Sequence, residues 1–311
     1  MEAAILCIGA AHTDRKARAA EPVVPGTSNP VSVRSSTGGV ARNVAENLAR
    51  LGMPVALMSR IGQDREGDAV LAGLEAVGVD CALVERSPSS PTASYTALLD
   101  PAGELFVAMA DMAIYGEMQV RLLARSLPAL ARFGAWFVDC NLPTGSLRFL
   151  LENRPANVRL FVDPVSVTKA ERLRGLLGGI ETLFANREEL SALTGLPIRA
   201  PLDLCAAAGL LLDRGVGSVV GSRGADGCLL ATPQEYTFLP PVPAEVRDVT
   251  GAGDALIAGT ILGRLRGLPV GGAVRVGLAC AALAVESRET VYPGLTPETA
   301  FARAGIAPAL A

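Results

Sequence analysis

Asp248-Val249-Thr250-Gly251-Ala252-Gly253-Asp254, followed at once by the apolar run Ala255, Leu256, Ile257, Ala258, Ile261, Leu262 and Leu265, decides how this chain is read. Two glycines flanking an alanine let a backbone approach a ligand without side-chain interference. The run behind them has the period of a helix packed on a core. Gly251 to Gly253 therefore stand at a helix N-terminus, where unpaired amides and the helix dipole attract an anion. Asp254, in the first turn, puts a carboxylate beside that anion site. A loop that cradles phosphate next to a potential base points to phosphoryl transfer onto a hydroxyl. The rival reading is a plain helix start capped by Thr250 or Asp254, both preferred cap residues. A second Gly-Gly element far upstream counts against it.

Working outward, the 311 residues suit one large α/β domain with an appendage. A hydrophobic share of 50% allows a sizeable core and excludes extensive disorder. A net charge of −3 gives no reason to expect nucleic acid or an anionic membrane as partner. The six cysteines (Cys7, Cys81, Cys140, Cys205, Cys228 and Cys280) are scattered, with no C-x-x-C and a single histidine in the chain. They read as reduced thiols of a cytoplasmic protein rather than a zinc site. The apolar stretches Ala3 to Ala11 and Val276 to Val285 are too short to span a bilayer, and the first reads as a buried strand.

Short apolar runs bounded by turn residues alternate with helical patterns. The expected strands are Ala4–Ile8, Val55–Ser59, Trp136–Asp139, Leu160–Asp163, Thr182–Ala185, Ser218–Ser222 and Gly227–Ala231. Between them lie helical segments at Arg42–Leu51, Asp68–Val77, Glu117–Ala131, Arg187–Leu193 and Leu202–Arg214. This order predicts a mostly parallel sheet covered by helices on both faces. Two stretches break the alternation. Residues 15–37 are polar, with one extended piece at Val31–Arg34. Residues 92–111 read as the strands Ala93–Leu99 and Leu105–Ala108 around the turn Asp100-Pro101-Ala102-Gly103. Together they predict a small β-sheet able to close over a site, with a decorative hairpin as the alternative.

Gly38-Gly39 opens a helix whose apolar stripe is Val40, Val44, Leu48 and Leu51, with Asn43 and Asn47 on its border. Such amides can bond sugar hydroxyls, or merely bridge helix and sheet. Asp14 and Asn141 follow strands, where α/β sheets place ligands. Asp111 ends the hairpin. His12 reads as a loop or pocket-lining residue. Asn186 and Glu189 sit at one helix end, suited to ordering hydrated magnesium and phosphate, or to a capping box. Ser222, Gly224 and Gly227 form a further Gly-rich turn that can edge a nucleotide pocket or close a hairpin.

As a set, these features resemble the ribokinase or PfkB family of carbohydrate and nucleoside kinases over essentially the whole chain. Gly38-Gly39-Val40-Ala41-Arg42-Asn43 resembles the first family signature and Asp248 to Asp254 the second. Thr37 to Leu48, Ser94-Tyr95, Ala110-Asp111-Met112, Asp139-Cys140-Asn141 and Asp163-Pro164-Val165-Ser166 are similar to the pseudouridine-kinase subgroup, as is Val249. The resemblance implies a ribokinase-like three-layer α/β/α fold with a small β-sheet lid, and ATP with magnesium as cofactors. It implies Asp254 as catalytic base, with Gly251, Ala252 and Gly253 as anion hole. Asp14, Gly39 and Asn43 then hold the ribose, with Asn141 where relatives also contact the sugar. Asn186 and Glu189 order magnesium and phosphate, Ser222, Gly224 and Gly227 form the ATP turn, and Asp248 with the Thr250 backbone takes a monovalent cation such as K+. Base contacts are expected among Asp111, Tyr95, Thr96 and Asn141, and a homodimer through the lid. The expected reaction is phosphorylation of the pseudouridine 5′-hydroxyl. Its alternatives are another nucleoside or sugar acceptor, or a catalytically silent nucleoside sensor. No G-x-x-x-x-G-K-[ST] occurs, and Gly9-Ala10-Ala11-His12 is no dinucleotide fingerprint.

Overall fold

The computed structural model describes residues 4–307. Both chain ends, including Ala3 of the N-terminal apolar run, lie outside the described residues. In chain order the strands are β1 (Ile5–Ile8), β2 (His12–Ala19), β3 (Val31–Gly38), β4 (Val55–Ile61), β5 (Asp80–Arg86), β6 (Ser94–Leu99), β7 (Leu105–Asp111), β8 (Ala135–Asp139), β9 (Arg159–Asp163), β10 (Thr182–Asn186), β11 (Ser218–Ser222), β12 (Cys228–Ala231) and β13 (Tyr236–Leu239). The helices are α1 (Val40–Arg50), α2 (Arg65–Glu75), α3 (Val120–Leu130), α4 (Thr144–Asn153), α5 (Val167–Ala170), α6 (Arg187–Thr194), α7 (Pro201–Asp213), α8 (Ala252–Leu265), α9 (Val270–Val285) and α10 (Pro297–Ala304).

Nine strands form the central sheet in the order β13-β12-β11-β10-β9-β8-β1-β4-β5. From β11 to β5 every pairing is parallel, and β12 and β13 add an antiparallel edge. The period-two geometry of a strand sends successive side chains into different layers. Leu6 and Ile8 of β1 pack into one core with Leu123, Leu147, Leu190 and Leu211 from α3, α4, α6 and α7. Ile5 and Cys7 join the other core with Val44, Leu48, Leu256, Val274 and Phe301 from α1, α8, α9 and α10. The result is the three-layer α/β/α arrangement that near-continuous apolar strands require.

A second sheet of four strands, in the order β3-β2-β6-β7, stands apart from the central one. It is longer than the sequence pattern shows. β2 runs over His12–Ala19 although it reads His-Thr-Asp-Arg-Lys-Ala-Arg-Ala, and Asp14 lies inside that strand rather than in a loop after β1. β2 carries four charged or titratable residues in its first five, and β5, the edge strand of the central sheet, has no buried residue, which is why both escape a hydrophobicity reading. Asn43 and Asn47 differ from expectation too. With α8 packed on α1, both are buried rather than bordering an apolar stripe. No helix among the described residues is long and apolar enough to cross a membrane.

Candidate active site

β1 lies between β4, which follows it, and β8, which the chain reaches much later. Strand order reverses there, and a crevice opens beyond the carboxyl ends of β1 and β8. Asp139, the fully buried last residue of β8, sits at that switch point. Its Oδ2 accepts the amides of Ala10 at 2.9 Å and Ala41 at 3.0 Å, while Oδ1 accepts the Asn141 backbone and side-chain N–H groups, both at 2.9 Å. A single carboxylate thereby ties β1, α1 and the loop after β8 together. Its only signal in sequence is an acid ending an apolar strand.

The Gly38-Gly39 turn brings α1 against the same point. Gly39 has φ of 102°, and a Cβ there would fall 2.4 Å from the Ala10 carbonyl oxygen. Only glycine fits this approach. One helical turn on, Asn43 Nδ2 donates to Asp254 Oδ2 at 2.7 Å. Arg42, also buried, donates from Nη1 to Asn43 Oδ1 at 2.7 Å and to the Thr37 carbonyl at 3.2 Å, and pairs with Glu46. A guanidinium has no acceptor, so the Asn43 oxygen must face it and the NH2 must face Asp254. Asn47 turns away, donating to the Asn43 carbonyl at 2.9 Å.

The two signature loops, more than two hundred residues apart in sequence, therefore meet at Asp254. Burial in the cleft wall raises its pKa to about 7, with Asp139 and Asp14 pushing the same way and Asn43 and Arg42 opposing. Such a carboxylate is poised to exchange a proton near neutral pH. Asp254 occupies the first turn of α8, whose leading amides lack intrahelical acceptors. The Ala252 amide leans back to the Val249 carbonyl at 3.3 Å, which leaves the Gly253 end of the turn facing the cleft.

Asp14 stands beside this point, its carboxylate packed over Gly38 and 3.1 Å from His12 Nε2. His12 Nδ1 lies 3.3 Å from the Tyr115 hydroxyl, which itself donates to the Ala11 carbonyl at 2.8 Å. Asn141 is buried and engaged at both ends of its amide, by Asp139 and by Lys169 Nζ, which donates to Oδ1 at 2.6 Å. Arg172 clasps the same loop through the carbonyls of Cys140, Asn141 and Leu142. Lys169 and Arg172 carry no sequence signal beyond their charge. Asp111 ends β7 exposed, paired in register with Ser94.

Beyond Asp254 a cavity of about 190 Å³ is lined by Asp163, Val165, Asn186, Glu189, Ser222 and Gly253. It adjoins an open one of about 620 Å³ that shares Asn186 and Ser222 and adds Arg187, Arg223 and Gly224. The larger volume is in the range of small-molecule sites. Gly227 lies behind this turn, against the backbone of Leu239. Asn186 and Glu189 form the capping box of α6, and Glu189 Oε2 accepts the Asn186 amide at 2.9 Å. Burial raises the pKa of Glu189, and burial with Glu189 and Asp254 nearby raises that of Asp163. Among the described residues no group of three or more acidic, histidine or cysteine side chains is placed to hold a metal ion directly. Val165, a β-branched residue at φ of 69°, is held there by its backbone N–H, which donates to Asp163 Oδ1 at 2.7 Å. Strain of this kind gathers at ligand sites.

Thr250 and Asp248 lie on the far side of the amide turn. Asp248 Oδ1 accepts the Thr250 amide at 2.9 Å and Oδ2 accepts Lys16 Nζ at 3.1 Å, while the same ammonium donates to Thr250 Oγ1 at 2.8 Å.

Compared with known families, residues 2–297 match the model of the pfkB family carbohydrate kinases. The chain belongs to the pfkB family. It is 34% identical over 296 residues to a pseudouridine kinase of Escherichia coli K12, covering 94% of this chain and 93% of that protein. A carbohydrate kinase from Agrobacterium tumefaciens is 33% identical, superposes with a TM-score of 0.85, and is matched over 99% of this chain and 98% of its own. Arabidopsis thaliana ribokinase complexed with ribose and ATP shares the fold with a TM-score of 0.89 at 21% identity, over 99% of this chain and 100% of its own. As a pfkB-family member the chain is a sugar or nucleoside kinase, a phosphotransferase with an alcohol acceptor.

Proposed function

We propose that this chain transfers the γ-phosphoryl group of ATP to the 5′-hydroxyl of pseudouridine, giving pseudouridine 5′-phosphate. The observation that carries the reading is the junction of the two signature loops, where Asn43 aims Asp254 across the crevice between Asp14 and the α8 amides. The acceptor is taken from the identity to the Escherichia coli pseudouridine kinase. In this reading the nucleotide lies along the larger cavity past Ser222 and Gly224, with its phosphates turned to Gly251–Gly253. Glu189, with Asp163 and Asn186, would hold Mg2+ through water, and the ion would screen phosphate charge. Asp14, Gly39 and Asn141 face the ribose, and Asp254 takes the proton of the primary alcohol. Such transfer is mostly positioning and electrostatics, with a base assisting.

Residues 1–311 act as one kinase domain in this proposal, and the four-stranded sheet, near residues 15–37 and 92–111, is its lid. Pseudouridine differs from uridine by a carbon–carbon glycosidic link and a ring N–H. A site that bonds this N–H leaves an acceptor unpaired with uridine. ADP formation should favour pseudouridine over uridine, adenosine and ribose by about 10²-fold or more in kcat/KM. Faster turnover of ribose or another nucleoside would move the acceptor assignment while leaving the phosphoryl-transfer site in place. Nucleoside binding without turnover would instead make the chain a sensor.

The two edge strands of the small sheet, on opposite sides of it, expose apolar side chains: Val31 and Val33 on β3, and Leu105, Phe106, Val107 and Met109 on β7. Apolar edge strands of this kind invite pairing. We place a homodimer interface there. Sedimentation of the wild type should give the dimer mass, and F106D with M109K should give the monomer. A wild type that sediments as a monomer at micromolar concentration removes this interface.

A further inference from the structure

The family resemblance assigns Asp248 to a monovalent cation, and the structure answers its charge in another way. We propose that the Lys16 ammonium, delivered by the small sheet, takes the place of that cation and fixes the loop leading into Gly251–Gly253. The inference rests on reading Gly251 to Asp254 as the phosphoryl-transfer loop.

Three contacts hold this loop. On its inner side the amides of Arg247 and Asp248 donate to the Val285 carbonyl at 2.8 and 3.3 Å. At its end, Gly251 has φ of 80° and lies so close to Thr290 that a Cβ would fall 1.9 Å from that carbonyl oxygen. On its outer side Lys16 Nζ bridges Asp248 Oδ2 and Thr250 Oγ1 at 3.1 and 2.8 Å. With the Thr250 amide on Oδ1, both carboxylate oxygens already have a donor. Hydrogen bonds from Thr250 and Lys16 hold the Asp248 pKa below the usual carboxylate range, against the upward push of burial. A second cation entering here would meet the ammonium at a repulsion comparable to its attraction to the carboxylate. The residues present therefore do not fit a resident K+.

The source of the ammonium matters as much as its charge. Lys16 lies on β2, two residues after Asp14, so both project from the same face of the strand. That strand thus offers a carboxylate to the crevice and a cation to the loop beside the anion site. The pair is partly exposed, at 41% for Lys16 and 30% for Asp248. Exposed pairs add little to fold stability, so the value of this one lies in where it holds the loop. A soluble ion would organise the loop whether or not the small sheet is in place. A tethered ammonium does so only when the sheet is down.

The test uses the full-length protein in tetramethylammonium buffer, with and without added KCl at matched ionic strength. Wild-type ADP formation should change by less than about twofold on adding K+. Lys16→Ala should fall on the order of tenfold without K+ and recover with it, as expected when one charge-assisted contact is removed and then replaced. KCl should also raise the Tm of Lys16→Ala and leave the wild-type Tm unchanged, because only the variant gains a bound ion. Lys16→Met, which keeps the aliphatic stem, serves if the alanine variant does not fold. A wild type that requires K+ overturns the proposal. So does a variant as active as wild type in K+-free buffer, or a loss that neither K+ nor ammonium restores. If no acceptor is turned over by any form, the kinase reading fails, and the Tm comparison still decides for or against Lys16.

Discussion

Asp254→Asn lowers kcat by about 10²–10⁴-fold, the usual worth of a positioned general base. The substitution keeps the volume of the side chain and its place in the first turn of α8, so the amides of that turn stay where they are. What it removes is the acceptor for the proton of the attacking hydroxyl. The Asn43 NH2 now at 2.7 Å would face either an amide oxygen or an amide NH2, and rotation of the new side chain satisfies the first. Folding therefore survives and chemistry does not. The pH profile gives a second readout. With the Asp254 pKa raised to about 7, the reactive carboxylate is scarce in acid, so kcat/KM rises with pH and levels off above neutrality. That inflection should vanish from the residual activity of the variant. Stability moves in the opposite sense. The folded-state pKa lies above the unfolded value near 3.9, so ionising this group disfavours the folded state as pH rises from about 4 to 7. Asp254→Asn should gain Tm relative to wild type at pH 8 more than at pH 5. Turnover equal to wild type would take the base role from Asp254.

The parts of this molecule that were legible in its sequence are those where one physical demand acts alone. A strand buried on both faces must be apolar, and Trp136–Asp139, Leu160–Asp163, Thr182–Ala185 and Ser218–Ser222 all appear as strands within a residue of their expected bounds. Backbone that must pass close to other backbone must be glycine, which marks Gly39 and Gly251. Legibility ends where two demands overlap. β2 must be a strand that buries Thr13, Ala17 and Ala19 on one face and carries Asp14, Lys16 and Arg18 on the other, and these small buried residues, interrupted by Arg15, hide the alternation. Asn43 reads from its helical position as a sugar ligand or a bridge between elements. The contacts it makes in this structure, to Arg42 beside it and Asp254 across the cleft, depend on α8 docking on α1. Val165 has no signal at all, since nothing in its side chain announces a left-handed backbone.

Asp139→Asn should destabilise the fold by about 2–6 kcal/mol, because an amide cannot do what this carboxylate does. Four N–H groups converge on Asp139, those of Ala10 and Ala41 on one oxygen and two of Asn141 on the other. Asparagine offers one oxygen, and its NH2 must confront one pair of donors. Two buried N–H groups then lose their acceptor, at about 1–3 kcal/mol each. If the lost pair is Ala10 and Ala41, α1 loosens from β1 at the switch point. If it is the Asn141 pair, the loop gripped by Lys169 and Arg172 loosens instead. An opposing effect exists, since the Asp139 charge helps to raise the pKa values of Tyr115, Cys140 and Asp163, and removing it relieves that repulsion. Tyr115 and Cys140, with pKa values raised above their already high ordinary values, carry no charge near pH 7, so lost hydrogen bonds decide the sign. The Tm should fall by roughly 5–20 °C, at about 2–4 °C per kcal/mol for a chain of this size. The same charge pushes Asp254 upward, so the inflection in kcat/KM should move to lower pH in this variant. A large loss of Tm with an unmoved inflection would leave Asp139 as the tie of the crevice and remove it from the tuning of the base.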